Sequence, residues 1–224
     1  MSDIKSLSKI AVLVDFDGTI TTKDTNDKLN ELYGNDRTSR LEEMYVNEEI
    51  DFVSFFSNTF KEIKITEDEY VNFILSNFEM TEGFREFTEN IKKNNIPIAI
   101  VSGGFDNGII PFLKKNGIED MDIYSNHLVF NGNDIEIKFY DEDNFDCCKN
   151  GPCGNCKLRH YNNFKKKYEI VVFIGDGSAD RYVAEIADVV FAKDLLVKYC
   201  VKNGISYIPW ENFYDIQKLI FDIE

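Results

Sequence analysis

Histidine is scarce in this chain. Only His127 and His160 occur among 224 residues, too few for a histidine-rich metal centre or a supported histidine nucleophile. Both are read as structural. Basic residues are also in deficit, 25 against 40 acidic, for a net charge of −15. Such a field repels nucleic-acid phosphates and anionic membranes, so neither is expected as a partner. No apolar run approaches the roughly 20 residues that cross a bilayer. Met1–Lys5 lead toward the first strand without a long apolar region, which predicts a cytoplasmic protein. There, the five cysteines are expected as thiols or metal ligands and not as structural disulfides.

What the chain does have is apolar mass. Hydrophobic residues make up 43% and charged residues 29%, a balance that excludes disorder. The 19 Phe and 11 Tyr suffice for a substantial core or a partly apolar pocket. The length fits one core carrying a modest insertion.

The first strong signal is Ile10-Ala-Val-Leu-Val14, an apolar β-prone run stopped by Asp15-Phe-Asp-Gly18. Similar runs follow at 96–101, before Ser102-Gly-Gly104, at 170–174, before Gly175-Asp-Gly177, and at 188–192. Helical segments are predicted between them at 82–94, 105–115, 155–168 and 178–187. Strands alternating with helices imply an α/β fold, a doubly wound parallel sheet covered on both faces. Residues 24–78 interrupt the alternation. Leu29, Leu32 and Tyr33, then Leu41, Met44 and Tyr45, then Phe52, Phe55, Phe56 and Phe60, then Tyr70, Ile74 and Phe78 recur at helical spacing. They predict three or four amphipathic helices inserted after the first strand, with the Phe stripe mainly core. Asn126–Phe130 and Asp134–Phe139, joined by Asn131-Gly-Asn133, predict a β-hairpin. A polar, cysteine-bearing loop is expected from about 141 to 156.

The carboxyl ends of parallel strands line one crevice. Asp15 and Asp17, Ser102 with Gly103 and Gly104, and Asp176 with Asp180 are therefore expected to converge. An aspartate can attack phosphorus and divide hydrolysis into two easier steps. Two carboxylates beside an anionic phosphate need a cation, and Mg²⁺ takes oxygen ligands of this kind. Phosphoryl transfer otherwise requires positioning and charge neutralisation, which a serine, backbone amides and one lysine supply.

Asp15-Phe-Asp-Gly-Thr19, Ser102-Gly-Gly104, Lys157 and Gly175-Asp-Gly-Ser-Ala-Asp180 resemble, in order, the four motifs of the haloacid dehalogenase superfamily of phosphatases. That resemblance implies a Rossmann-type core at 1–20 and 80–224 with a helical cap at 21–79. It implies Asp15 as nucleophile, and Asp15, Asp176 and the Asp17 carbonyl as Mg²⁺ ligands. It further implies Asp17 as general acid and base, and Ser102, Gly103 and Lys157 on the phosphate. Gly18 and Thr19 would hold phosphate or loop, with Asp180 orienting Lys157 or a metal-bound water.

Within the superfamily, Thr81-Glu-Gly-Phe-Arg-Glu-Phe87, the approach Cys147-Cys148…Cys153-Gly-Asn-Cys-Lys157, and Phe191-Ala-Lys-Asp194 with Pro209-Trp-Glu-Asn-Phe-Tyr214 resemble the methionine-salvage phosphatases. Those act on 2-hydroxy-3-keto-5-methylthiopentenyl 1-phosphate. Phosphoserine and phosphocholine or phosphoethanolamine phosphatases carry the same motifs and stay open as alternatives, as does a non-catalytic phosphometabolite-binding module. The expected partner is a small phosphorylated metabolite, bound by a monomer or homodimer. Cys147, Cys148, Cys153 and Cys156 are compatible with a structural zinc, a disulfide or reduced thiols. Asp24, Arg37 and Arg85 are read as surface charges or substrate contacts.

Overall fold

The computed structural model describes residues 9–141 and 152–221. Its centre is a seven-stranded sheet in the order β4-β3-β2-β1-β5-β6-β7. The strands are β1 (Ile10–Val14), β2 (Ile98–Phe105), β3 (Asp122–Asn131), β4 (Asp134–Lys138), β5 (Ile170–Gly175), β6 (Val189–Ala192) and β7 (Ile208–Pro209). All neighbours are parallel except β3 and β4, which pair antiparallel through the Asn-Gly turn. β1, β5 and β6, and β2 as far as Val101, carry no polar side chain because both faces are covered. Val12, Val14, Ile100, Val172 and Ile174 enter one apolar cluster; Leu13, Ala99, Val101, Val171 and Phe173 enter the other. The split follows the two-residue period of a strand.

The helices of the insertion are α1 (Thr25–Tyr33), α2 (Asp36–Val46), α3 (Phe52–Glu62) and α4 (Glu67–Asn77). Each starts at a residue that satisfies free amide groups: Asp24, Asn35, Asp51 and Thr66, the second and fourth completing capping boxes with Thr38 and Glu69. Thr21 and Met80 form an isolated antiparallel bridge, so the insertion leaves and rejoins the α/β part at one point. Its apolar faces are continuous with the sheet's core. Phe56 stacks on Phe105 at the end of β2 with ring centroids 5.5 Å apart, and Phe60 meets the same ring at 4.7 Å.

The remaining helices are α5 (Phe84–Lys93), α6 (Asp106–Lys115), α7 (Lys157–Lys165), α8 (Arg181–Ala184), α9 (Asp194–Asn203) and α10 (Phe213–Phe221). Three details depart from the expected pattern. β2 does not stop before Ser102-Gly-Gly104 but runs through it to Phe105, with a register shift after Val101, because the Asn126 side chain of β3 holds the Gly103 carbonyl at 2.7 Å. The helix expected at 178–187 is a 3₁₀ turn, Ser178–Asp180, followed by the single turn α8. The Asp180 carboxylate pulls that turn tight by accepting from the amides of Asp176 and Gly177, both at 3.0 Å. Finally, β7, α9 and α10 extend the α/β pattern past the last predicted element, with Pro209 on an edge strand, where its missing N–H costs no ladder bond. Among the described residues, no helix is long and apolar enough to cross a membrane.

Candidate active site

The adjacent strands β1, β2 and β5 end on one side of the sheet, and their C-terminal residues meet there. The Asp15 amide donates to the Ile174 carbonyl at 2.9 Å, which fixes the nucleophile candidate against β5. Lys157, the first residue of α7, reaches the same place. Its ammonium lies 2.7 Å from Asp15 Oδ2 and 2.6 Å from Asp180 Oδ1, and all three side chains are buried. One oxygen each of Asp15, Asp176 and Asp180 lies within 4.8 Å of the others, a donor group that could hold a metal ion.

The electrostatics are unbalanced. Burial raises the Asp15 carboxyl well above its ordinary range, and the Asp180 and Asp176 charges push the same way, with only Lys157 opposing. Asp176 is pushed up to about 7, first by burial and then by Asp180, against the Thr19 hydrogen bond and the charges of Lys157 and Lys193. Burial also acts to discharge Lys157, but Asp15 and Asp180 more than offset it and its pKa moves up. Three carboxylates thus share one ammonium. The raised pKa values of Asp15 and Asp176 mark a place that lacks positive charge, and hard carboxylate oxygens suit a hard divalent cation.

Asp17 has different company. It accepts from the Thr25 hydroxyl, from the Thr25 amide at 3.3 Å and from Ser102 Oγ at 3.1 Å, with no cation in contact among the described residues. Burial, and secondarily the Asp24 charge, hold it at about 6. A carboxyl near 6 can give a proton and take one back near neutral pH. Its metal contact, expected through the backbone carbonyl, leaves this side chain available for that work.

The other candidates fall near this centre with altered contacts. The Thr19 hydroxyl donates to Asp176 Oδ1 at 2.6 Å, so it orients a carboxylate. The Gly18 amide points to Thr21 Oγ1 at 3.1 Å and the Lys23 carbonyl. Gly18 has φ +72°, and a Cβ there would lie 2.3 Å from Asp176 Oδ2, so no larger residue allows this approach. Ser102 Oγ bridges Asp17 and the Gly104 amide, the latter at 2.8 Å. Gly103 faces open space and lines the adjacent cleft.

That cleft, about 600 Å³, runs from Gly103 and Lys157 to the turn joining α2 and α3. Tyr45, Val46, Ile50 and Phe52 line it from the insertion, Arg181 and Tyr182 from α8. Glu48, Glu49 and Asp51 add carboxylates. The Arg181 guanidinium sits 4.7 Å from the Tyr182 ring centroid.

Several side chains lie elsewhere or do other work. Arg37 pairs with Glu62 at 2.9 Å and Arg85 with Glu89 at 3.3 Å; Asp24 caps α1. His127 meets Asp106 on the surface. His160 is buried, and desolvation lowers its pKa to about 4, so the ring is neutral. Cys147 and Cys148 lie outside the described residues. Among the described residues, neither Cys153 nor Cys156 joins a group of three metal-ligating side chains. Sequence reading missed Thr25 and Asn155. Thr25 was visible only as the last residue of the polar stretch Thr21-Thr-Lys-Asp-Thr25, and Asn155 only as a neighbour of the lysine.

The model of the haloacid dehalogenase-like hydrolases matches residues 12–185. A Bacillus mycoides (strain KBAB4) protein named 2-hydroxy-3-keto-5-methylthiopentenyl-1-phosphate phosphatase is 32% identical over 208 residues, covering 92% of this chain and 94% of its own length. A Bacillus pumilus (strain SAFR-032) protein of the same name is 31% identical over 212 residues, covering 94% and 90%. Among solved structures, a phospho-aspartyl intermediate analogue of phosphoserine phosphatase aligns with TM-score 0.68 at 19% identity, over 94% of this chain and 98% of that one. A substrate-bound phosphoserine phosphatase complex gives 0.69 at 18%, over 97% and 99%. At such identities these two likenesses establish the fold.

Proposed function

The chain belongs to the haloacid dehalogenase-like hydrolase family and is a phosphatase, and from that premise we propose that it hydrolyses 2-hydroxy-3-keto-5-methylthiopentenyl 1-phosphate through an aspartyl-phosphate on Asp15, with Mg²⁺. The observation that carries the mechanism is the buried Asp15–Lys157–Asp180 bridge beside a separate, cation-free Asp17. Asp15 and Asp176 are the carboxylates that would hold Mg²⁺, together with the Asp17 carbonyl. Both oxygens of Asp180 are committed, one to Lys157 and one to two amides, so it braces the others. When bound, Mg²⁺ supplies the positive charge that three carboxylates and a phosphate need in common.

The chain's own residues account for the rest. Asp15 attacks phosphorus; a carboxylate oxygen–phosphorus bond forms as the bond to the leaving oxygen breaks. Asp17, held near 6, delivers its proton to that oxygen, so an alcohol leaves. In the second half, Asp17 takes a proton from water as the water oxygen bonds phosphorus and the Asp15–phosphorus bond breaks, releasing inorganic phosphate. Lys157 neutralises phosphate oxygens throughout, and the Gly103 segment borders them.

The substrate reading is supported by the relatives' name and by the cleft. Tyr45, Val46, Ile50 and Phe52 suit an uncharged thioether tail, and Arg181 suits the hydroxyl and keto oxygens nearer the phosphate. Glu48, Glu49 and Asp51 oppose a leaving group bearing a carboxylate, as in phosphoserine. The helical insertion at 21–79 then acts as the cap over an α/β core at 1–20 and 80–224. The test is phosphate release from the methylthio-ketose phosphate, phosphoserine and phosphocholine. The methylthio compound is expected to give the highest kcat/KM, and Asp15→Asn to give no turnover of any. A better kcat/KM with phosphoserine overturns the substrate; equal rates for Asp15→Asn and wild type overturn the mechanism.

A further inference from the structure

Asn155 is buried just before Lys157 and uses its whole amide. Its Nδ2 donates to the Ser102 carbonyl and to the Tyr124 carbonyl, each at 2.8 Å. Both amide hydrogens are thereby spent, and its Oδ1 faces His160 Nε2 at 2.6 Å. With Nδ2 committed as donor, Oδ1 is the acceptor and His160 must carry its hydrogen on Nε2. The imidazole is neutral in this setting, stacked on Tyr124 with centroids 4.6 Å apart and tilted against Tyr140 at 5.0 Å.

This amide joins two parts of the site that the sequence keeps 55 residues apart, Ser102 and Lys157. On one side it holds the end of β2, where the Ser102 hydroxyl reaches Asp17. On the other it belongs to the bend from which Lys157 enters. The bend has its own anchor: buried Asp141 accepts from the Cys156 amide at 2.8 Å and pairs with Arg159. It also needs glycine at 154, where φ is +73° and a Cβ would fall 2.2 Å from the Phe139 ring.

We infer that Asn155 and His160 are positioning residues for phosphoryl transfer, a hydrogen-bonded clamp that sets Ser102 and Lys157 at a fixed spacing around the phosphate. His160 acts through Asn155, and Asn155 acts through the two residues that meet the reacting groups. The inference rests on the phosphatase reading above but not on the identity of its leaving group. A displacement of about 1 Å in such groups costs on the order of 100-fold in rate, so loss of the clamp is expected to exceed the effect of lost packing alone.

The experiment compares His160→Leu, which fills the space without a donor, with His160→Gln, whose amide can donate to Asn155 Oδ1. Each is assayed with Mg²⁺ and p-nitrophenyl phosphate, with orthovanadate inhibition as a second reading and thermal melting as a control. For His160→Leu, kcat/KM is expected to fall about 10- to 100-fold and orthovanadate to bind correspondingly more weakly. His160→Gln is expected to recover most of both. Loss that is equal in the two variants, or no loss in either, overturns the inference. If His160→Leu does not fold, ¹⁵N spectra of the wild-type imidazole decide. A neutral Nε2–H tautomer at pH 7 supports the clamp, and an Nδ1–H tautomer or a charged ring overturns it. Wild-type protein with no turnover of p-nitrophenyl phosphate would instead remove the phosphatase reading on which the clamp depends.

Discussion

Replacing Asp176 by Asn should stabilise this protein when no divalent cation is present. Asp176 carries a carboxyl raised from 3.8 to about 7 by burial and by the Asp180 charge. A raised folded-state value means that the folded chain prefers the protonated form. The stability tied to that proton is complete below about pH 4 and is lost as pH rises through 7. Three pKa units at about 1.4 kcal/mol each set an upper bound of roughly 4 kcal/mol. Partial solvent exposure of Asp176 halves this to about 2 kcal/mol. Asparagine keeps the acceptor for Thr19 but never ionises, so the variant is spared that loss. For a chain of this size, about 2 kcal/mol corresponds to roughly 4–8 °C in Tm.

The assay is thermal melting of both proteins in EDTA from pH 4 to pH 8. The curves are expected to converge near pH 4 and to part by the full amount above pH 7, with the variant higher. His160, whose lowered pKa works in the opposite direction between about 4 and 6.5, is common to both proteins and cancels. Millimolar Mg²⁺ at pH 8 should then raise the wild type alone, by about 2.7 kcal/mol at a hundred times Kd, enough to place it slightly above the variant. A variant that melts below wild type in EDTA at pH 8 would refute the picture of a cation-deficient carboxylate cluster. So would a gap indifferent to pH.

With Asp17→Asn the acid and base are removed while Asp15 keeps its lysine. Turnover of an alkyl phosphate is expected to fall by about 10²–10⁴, and p-nitrophenyl phosphate to release about one equivalent of nitrophenolate before stalling; steady wild-type turnover would contradict the assignment. Across n-alkyl phosphates from ethyl to pentyl, kcat/KM is expected to rise about fourfold per methylene as the tail is buried against Tyr45, Ile50 and Phe52, and Ile50→Asn should flatten the ladder. A flat ladder in the wild type would show that the cleft does not select apolar tails.

Some of this site was readable before any geometry, and the reason is local. Asp15 and Asp176 each follow an apolar strand directly, so backbone periodicity alone places them at a crevice. The sheet was legible for the same cause: Val12 and Leu13 point to opposite clusters and still must both be apolar. Lys157 was legible only through its order in the chain, since nothing near it distinguishes it from a surface lysine. Thr25, Asn155 and Asp141 were not legible. Their partners lie 8, 53 and 15 residues away, and a polar residue in a loop reads alike whether it meets water or a buried carbonyl. The extent of β2 was misjudged because Ser102-Gly-Gly104 has turn composition, while its actual path is set by Asn126 on another strand.

The division of labour between Asp15 and Asp17 follows from partners and not only from motif position. Both are buried carboxylates at the end of one strand, and burial raises both. Asp15 is paired with a buried ammonium, which works against that rise, as the Mg²⁺ it would share also does, and together they direct the carboxylate toward nucleophilic work. Asp17 is paired with two hydroxyls. A hydroxyl can donate to a carboxylate or accept from a carboxylic acid, so Thr25 and Ser102 can stay bonded through either protonation state of Asp17. An ammonium has no such freedom, because it cannot accept. Exchanging the two environments would therefore place the proton on the attacking group and withhold it from the leaving one, even with both aspartates retained.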